Sequence, residues 1–302
     1  MGWFTTGAVE EFLTEAGPFL RAEPVRNTVI LSVTDTLRRQ AAPARTRPGS
    51  DQPSFGWWQP GPVSVTVSVT ASITVAGAFM HTPGLPVVLT AMSRDTASAL
   101  AVGLVAAGRR VPGVNAEPQA AEAFAAAWRQ RTGESATVHL RTRLFRLGTL
   151  SPPDPAPRGT ARVAGPRDRD QLIEWSAAFT AEIGDPPGQD HAAAVDDKLN
   201  HGGIMIWEAA GALASIAAIT RVVTRTARVS SVYTPPALRG HGYAAAATAA
   251  ATQAALDAGA AEVVLYTDLA NPTSNALYQR LGYRPVEDRL VLSFAPAAPE
   301  PP

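Results

Sequence analysis

The chain has 302 residues, 46% of them hydrophobic and 17% charged, enough for one or two domains with cores of ordinary size. Basic and acidic residues balance at 26 each, which argues against a broad nucleic-acid or anionic-membrane surface and requires any anion site to be local. The absence of cysteine excludes thiol nucleophiles, disulfides and cysteine-bound zinc.

Met1–Leu20 carries Glu10, Glu11 and Glu15 and lacks a basic flank followed by a long apolar run, so no signal peptide is expected. No stretch reads as membrane-spanning, and the expected location is the cytoplasm. In the first half, Val9–Leu20 predicts a helix and Asn27–Val33 an apolar strand, followed by a proline- and arginine-bearing loop over Arg38–Pro53. After Phe55-Gly56-Trp57-Trp58, strict alternation from Val63 to Val75 predicts a strand with one apolar and one hydroxylated face. At about 3.3 Å per residue it would span roughly 40 Å, which implies a hairpin with an unmarked turn or a strand shared with a partner chain. A strand over Pro83–Leu89, helices over Asp95–Ala107 and Glu117–Arg131, and a strand over Ser135–Leu147 complete an α+β domain, residues 1–150. Residues 151–159 hold Pro152, Pro153, Pro155 and Pro157, forbid a helix, and read as a stiff linker.

The second domain, residues 160–295, alternates more plainly. A strand over Ala161–Ala164 precedes an amphipathic helix over Asp168–Ile183, with Leu172, Trp175, Phe179 and Ile183 on one face as core residues. The loop Gly184–Gln189 leads to a short helix ending near Asn200, and strands Ile204–Glu208 and Leu213–Val222 pair around Ala209-Ala210-Gly211. A strand over Arg228–Thr234 enters the loop Pro235–Ala244, and an alanine-dense helix, Ala244–Ala258, leaves it. A strand over Glu262–Asp268, a helix over Asn271–Leu281 with Gly282 past its end, and a strand over Arg289–Phe294 follow, and residues 296–302 form a frayed tail.

The glycines of Arg239-Gly240-His241-Gly242-Tyr243-Ala244 therefore sit at a strand-to-helix junction, where unpaired N–H groups at the positive end of a helix receive an anion such as a pyrophosphate. A P-loop would need a lysine and a serine or threonine after Gly242, and the Rossmann spacing Gly-x-Gly-x-x-Gly fails at Ala245. The loop matches Arg/Gln-x-x-Gly-x-Gly/Ala, and Asn271, Ser274 and Tyr278 followed by Gly282-Tyr283 match Asn-x-x-Ala/Ser-x-x-x-Tyr with Gly-Phe/Tyr. With these two motifs in order, Ala161–Phe294 resembles the Gcn5-related N-acetyltransferase (GNAT) superfamily. The first half is read as a possible degenerate copy with a substrate or structural role, which gives a mixed α/β protein.

The resemblance implies acetyl-CoA, or another short acyl-CoA, as co-substrate and no metal. It implies that backbone amides from Leu238, Arg239, Gly240, His241, Gly242, Tyr243 and Ala244 hold the pyrophosphate. His241 is then a solvated loop residue or a phosphate contact, and Arg239 adds charge near the phosphates or bonds loop carbonyls. Val232, Tyr233 and Thr234 are expected to splay from the Glu262–Asp268 strand, because Pro235 and Pro236 cannot continue a ladder, and to pair with the pantetheine arm. A backbone N–H there would stabilise the oxyanion, and Tyr233 is a candidate for the acceptor pocket. Asn271 and Ser274 complete the cofactor contacts, Asn271 also as a helix cap.

Tyr278 is the expected general acid to the departing thiolate, with core packing as its alternative. Glu208, Glu182 and Asp268 are the base candidates, each with a structural alternative. The expected activity is direct transfer of an acyl group to a primary amine of a small metabolite or amino acid. A non-catalytic acyl-CoA-binding protein and a protein or peptide N-acetyltransferase are the alternatives. A monomer or homodimer with no nucleic-acid or membrane partner is expected.

Overall fold

A computed structural model describes residues 2–40, 52–61, 74–184 and 188–296. The alternating run Val63–Val75, but for its last two residues, and most of the Arg38–Pro53 loop lie outside the described residues. Contacts divide the chain into two compact units, Met1–Thr142 with Glu287–Pro302, and Arg143–Val286. The proline-rich stretch 151–159 lies within the second unit.

The first unit runs β1 (Gly2–Thr6), α1 (Val9–Glu15), α2 (Gly17–Ala22), α3 (Thr28–Gln40), β2 (Ser54–Gln59), β3 (Ala78–His81), β4 (Val87–Leu89), α4 (Arg94–Ala106), β5 (Gly113–Ala116), α5 (Pro118–Thr132) and β6 (Ser135–Leu147), whose last residues belong to the second unit. Three expectations are corrected here. The apolar run from Asn27 to Val33 is helical, because Asn27, Ile30, Leu31 and Thr34 are buried at helical spacing and the Thr34 hydroxyl donates back to the Ile30 carbonyl at 2.7 Å. The helix expected over Val9–Leu20 is broken at Ala16, where Gly17-Pro18 starts a new one. The strand expected from Pro83 begins only at Val87, since Pro83 and Gly84 lie in a turn closed by Leu85 N–H donating to Thr82 O at 3.0 Å. Strands β4 and β5 are parallel, Val87 opposite Val114, and their sheet face packs on Leu100 and Leu104 of α4 and Phe124 and Trp128 of α5.

The second unit runs β7 (Thr160–Val163), α6 (Arg169–Ile183), α7 (His191–Leu199), β8 (Ile204–Ala209), β9 (Ala212–Ile219), β10 (Thr226–Tyr233), α8 (Tyr243–Asp257), β11 (Glu262–Asp268), α9 (Pro272–Arg280) and β12 (Tyr283–Ala295), which the first unit takes over at Glu287. Apart from the additional helix α3, both units use one order: strand, helices, three strands, helix, strand, helix, strand. The β8–β9 hairpin turns at Ala210 and Gly211 with φ of 51° and 77°, the two left-handed residues a tight hairpin requires.

The sheet of this unit has two distinct faces. Ile204 and Ile206 of β8 and Ile216 and Ala218 of β9 pack toward Leu172 of α6 and Val195 of α7. Met205, Trp207 and Ala217 pack on Ala246, Ala247 and Ala251 of α8. Trp175 and Phe179 join the α6 core as expected, whereas Ile183, at the end of the helix, is 41% exposed. Arg162 of β7 bridges Asp168 before α6, at 2.7 Å, and Glu208 of β8, at 2.6 Å, so one guanidinium ties three elements. The Arg162 bond holds the Asp168 carboxyl below its ordinary range.

Gly282 joins α9 to β12 with φ of 98°, and its carbonyl accepts from Gly148 N–H at 3.0 Å. A Cβ there would run into the Thr149 carbonyl oxygen. Gly282→Ala is therefore expected to destabilise the protein by about 1–3 kcal/mol, read as a lower denaturant midpoint. An unchanged midpoint would contradict this close approach.

Candidate functional site

Strands β10 and β11 run parallel from Thr226 opposite Glu262 to Val229 opposite Leu265, where their register ends. At the same place the pairing of β10 with β9 shifts between Val229 and Ser231, a bulge at Ser230. Beyond it β10 stays with β9, Val232 opposite Ala217 and Tyr233 opposite Ile216. The fork thus opens at the bulge, ahead of the Pro235-Pro236 pair to which the sequence reading ascribes it. Ser215 of β9 fixes the end of β10: its hydroxyl donates to Tyr233 O at 3.1 Å and lies 2.8 Å from Thr234 Oγ1. Val232 packs toward α8, and Tyr233 is buried against Leu172 and stacks edge-on with Trp175 at 5.8 Å. What these two residues offer a ligand is chiefly their backbone.

The loop from Pro235 to Ala244 begins with a single 3-10 turn, Pro236–Leu238, and both Gly240 and Gly242 have φ of 81°. Gly242 is the N-cap of α8 and supplies no side-chain acceptor. The first N–H groups of α8, from Tyr243 to Ala245, therefore lack helical partners and point out at the positive end of the helix. Arg239 is engaged by protein: its Nε donates to Thr234 O at 2.9 Å and its Nη2 to Glu182 at 2.6 Å, tying the loop to β10 and α6. His241 is exposed, stacked on Tyr243 at 5.5 Å, with Nδ1 2.9 Å from the Arg239 carbonyl.

Tyr278 of α9 is 9% exposed among Val229, Leu265 and Leu281, residues on either side of the fork's closed end and of its own helix. It meets Tyr283 edge-on at 6.3 Å. Burial alone pushes its phenol up to about 12. Burial likewise raises Tyr283, whose hydroxyl lies 2.7 Å from Thr252 Oγ1. Asn271 caps α9, its side-chain oxygen accepting from Ser274 N–H at 3.0 Å.

Each base candidate has a partner. Glu208 accepts from Arg162, Glu182 from Arg239, and Asp268 from the Ala270 N–H at 2.8 Å while its carbonyl accepts from Asn275. Sequence reasoning missed Ser230 and Ser215. The bulge leaves one signal: the apolar residues Ala227, Val229 and Val232 change parity across Ser230-Ser231.

The match to known proteins falls on this unit. Residues 169–283 match the model of the Acetyltransferase (GNAT) family. They form a GNAT domain. No curated protein matches the chain in sequence. Among solved structures, a GNAT-family acetyltransferase from Colwellia psychrerythraea aligns with 97% of this chain and 99% of its own at 11% identity and a TM-score of 0.57. A GCN5-related N-acetyltransferase from Sphaerobacter thermophilus aligns over 97% and 95% at 15% identity and a TM-score of 0.57. A tandem GNAT protein from the clavulanic acid biosynthesis pathway aligns over 99% and 100% at 14% identity and a TM-score of 0.50. At these identities the likeness concerns the fold: mixed α/β with a largely antiparallel sheet, as the sequence predicts. Among the described residues no cluster suited to a metal ion occurs and no helix is long and apolar enough to cross a membrane.

The buried tyrosines of the GNAT domain make alkaline stability a test of this packing. Below pH 10 Tyr278 is protonated in both folded and unfolded chains. Between pH 10 and 12 the unfolded chain loses that proton first, so stability falls, for Tyr278 by roughly 2–3 kcal/mol. Urea unfolding at pH 9 and 11.5 is expected to show this loss, and Tyr278→Phe to shrink it. An equal loss in the variant would place the titration elsewhere.

Proposed function

We propose that the protein is an acyl-CoA-dependent N-acyltransferase that moves an acetyl group directly from acetyl-CoA, or another short acyl-CoA, to a primary amine of a small metabolite or amino acid. The observation that carries this reading is the uncapped, glycine-led N-terminus of α8 beside the fork between β10 and β11. The N–H groups from Gly240 to Ala244 receive the pyrophosphate, those of Leu238 and Arg239 being already donated to Pro235 O at 2.8 Å and Pro236 O at 3.3 Å, and the unpaired edges of the fork receive the amides of the pantetheine arm.

The amine nitrogen attacks the thioester carbonyl, a backbone N–H of Val232 to Thr234 holds the oxygen as it becomes anionic, and the carbon–sulfur bond breaks. Tyr278 gives its proton to the leaving thiolate. The proton lost by the amine goes to a carboxylate or to water. Among Glu208, Glu182 and Asp268 we favour Glu182, because its partner Arg239 belongs to the pyrophosphate loop and turns to the phosphates when they bind, freeing the carboxylate.

The first unit, on this reading, is a degenerate GNAT copy that holds no pyrophosphate. Its equivalent junction, Thr90 to Arg94, has no glycine, and the Ser93 hydroxyl already accepts from the Thr96 N–H at 3.2 Å, occupying the place of the anion. A substrate or structural role fits such a unit.

Thiol release from acetyl-CoA across a panel of amines tests the activity. Tyr278→Phe is expected to lower kcat by roughly 10²-fold or more while leaving acetyl-CoA affinity within a few-fold. Tight CoA binding with no turnover on any amine, and a wild-type-like Phe variant, would make the protein a binder instead. Gly242→Val sets a branched side chain on a left-handed residue at the phosphate position and is expected to raise KM for acetyl-CoA about tenfold or more. An unchanged KM would dismiss the loop as the cofactor site.

A further inference from the structure

The first unit has a parallel strand pair of its own. In the order shared by the two units β4 and β5 hold the places of β10 and β11, and their register runs from Val87 opposite Val114 to Val88 opposite Asn115, where it ends. Leu89, the next residue, is the last of β4. Strands that stop pairing leave carbonyls in want of donors.

Here those carbonyls are filled from within the chain. Arg289 of β12, 5% exposed, spans them: its Nη2 donates to Leu89 O and to Asn115 O, each at 2.8 Å. A single nitrogen bonded to a carbonyl of each strand lies between the two strands. Its Nε donates to Asn115 Oδ1 at 2.9 Å and its Nη1 to Glu287 at 3.3 Å, so every nitrogen of the guanidinium is engaged. The Glu287 side chain, 8% exposed, also meets Arg26 at 3.2 Å, so the charge carried into the gap is balanced on the spot. Arg26, Leu89, Asn115, Glu287 and Arg289 all belong to the first unit.

A pantetheine arm would need the same ground. Its amides would offer N–H donors to the strand carbonyls, and the guanidinium already offers them, in a planar group that serves several acceptors at once. Because it is tethered, it competes at an effective concentration that a free ligand does not reach. Displacing it would strip a buried cation and a buried carboxylate of their bonds, a cost that an incoming amide does not repay.

Resting on the acyltransferase reading above, we infer that Arg289 is the resident occupant of the β4–β5 fork. It holds the two strands as a pantetheine arm would, closes the first unit to acyl-CoA, and limits the chain to one cofactor and one transfer centre. With the Ser93 hydroxyl at the start of α4, both places where this unit could hold acyl-CoA are taken by its own side chains.

The test is hydrogen exchange of the full chain with and without saturating CoA, beside a calorimetric titration with CoA. One CoA per chain is expected, with slower exchange over 234–245 and no change over 87–94 and 113–117. Slowing over 87–94, or a second CoA per chain that persists in Gly242→Val, overturns the inference and leaves the acyltransferase reading intact. In Arg289→Ala without CoA, exchange over 87–94 and 113–117 is expected to rise about tenfold or more, with the Kd for CoA within a few-fold of wild type. Arg289→Lys is expected to rise nearly as far, because a point charge does not span both strands and Asn115. Unchanged exchange in both variants overturns the inference as well. If CoA does not bind at all, the acyltransferase reading falls, and exchange in the Arg289 variants still decides what holds β4 to β5. Should neither variant fold, the wild-type titration and exchange remain decisive.

Discussion

One inserted residue organises the second unit. Up to Val229 strand β10 has two neighbours; after Ser230 it has one. A bulge adds local twist and carries the strand with β9, and Ser215 then holds the diverted end through Tyr233 and Thr234. The open strand edges and the position of the glycine loop that follows both depend on this parting. A flush parallel pair would leave no route between the faces of the sheet.

The buried phenol of Tyr278 invites a quantitative question. An acid pushed up to about 12 is poorly matched, in water, to a thiolate whose thiol lies near 8.5. The mismatch narrows where both groups share the same surroundings, because desolvation penalises a thiolate as it penalises a phenolate. What counts for proton transfer is the difference between the two within the site. The edge of Tyr283 and the apolar residues Val229 and Leu265 make those surroundings dry, so the raised phenol reports the environment in which the thiol would also stand.

Much of the second unit is legible in its sequence because local signals and tertiary needs agree there. Strand β11 matches its predicted bounds, Ala210-Gly211 turns where a hairpin demands left-handed residues, and the alanine run after Gly242 has no stable alternative to a helix. The first unit reads less well for the opposite reason. Asn27–Val33 is rich in β-branched residues and suggests a strand, yet its burial follows a helical period, with α1 packed against it. Strands β3 and β5, four residues each, are too short for alternation to mark them. At the site, residue types that bind through backbone are announced by glycine and proline. Residues that act through placement, such as Ser215, carry no local signature and become visible only once strands are paired.

The alanines of α8 have a thermodynamic meaning beyond their propensity. Ala246, Ala247 and Ala251 pack directly on Met205, Trp207 and Ala217, and an alanine has no rotamers to lose on burial. The helix can therefore lie close against the strands with almost no side-chain disorder frozen out when it docks. Its first turn is thereby set in place by the core itself, so the N–H groups at its tip are oriented before any anion arrives and little ordering entropy remains to be lost on binding.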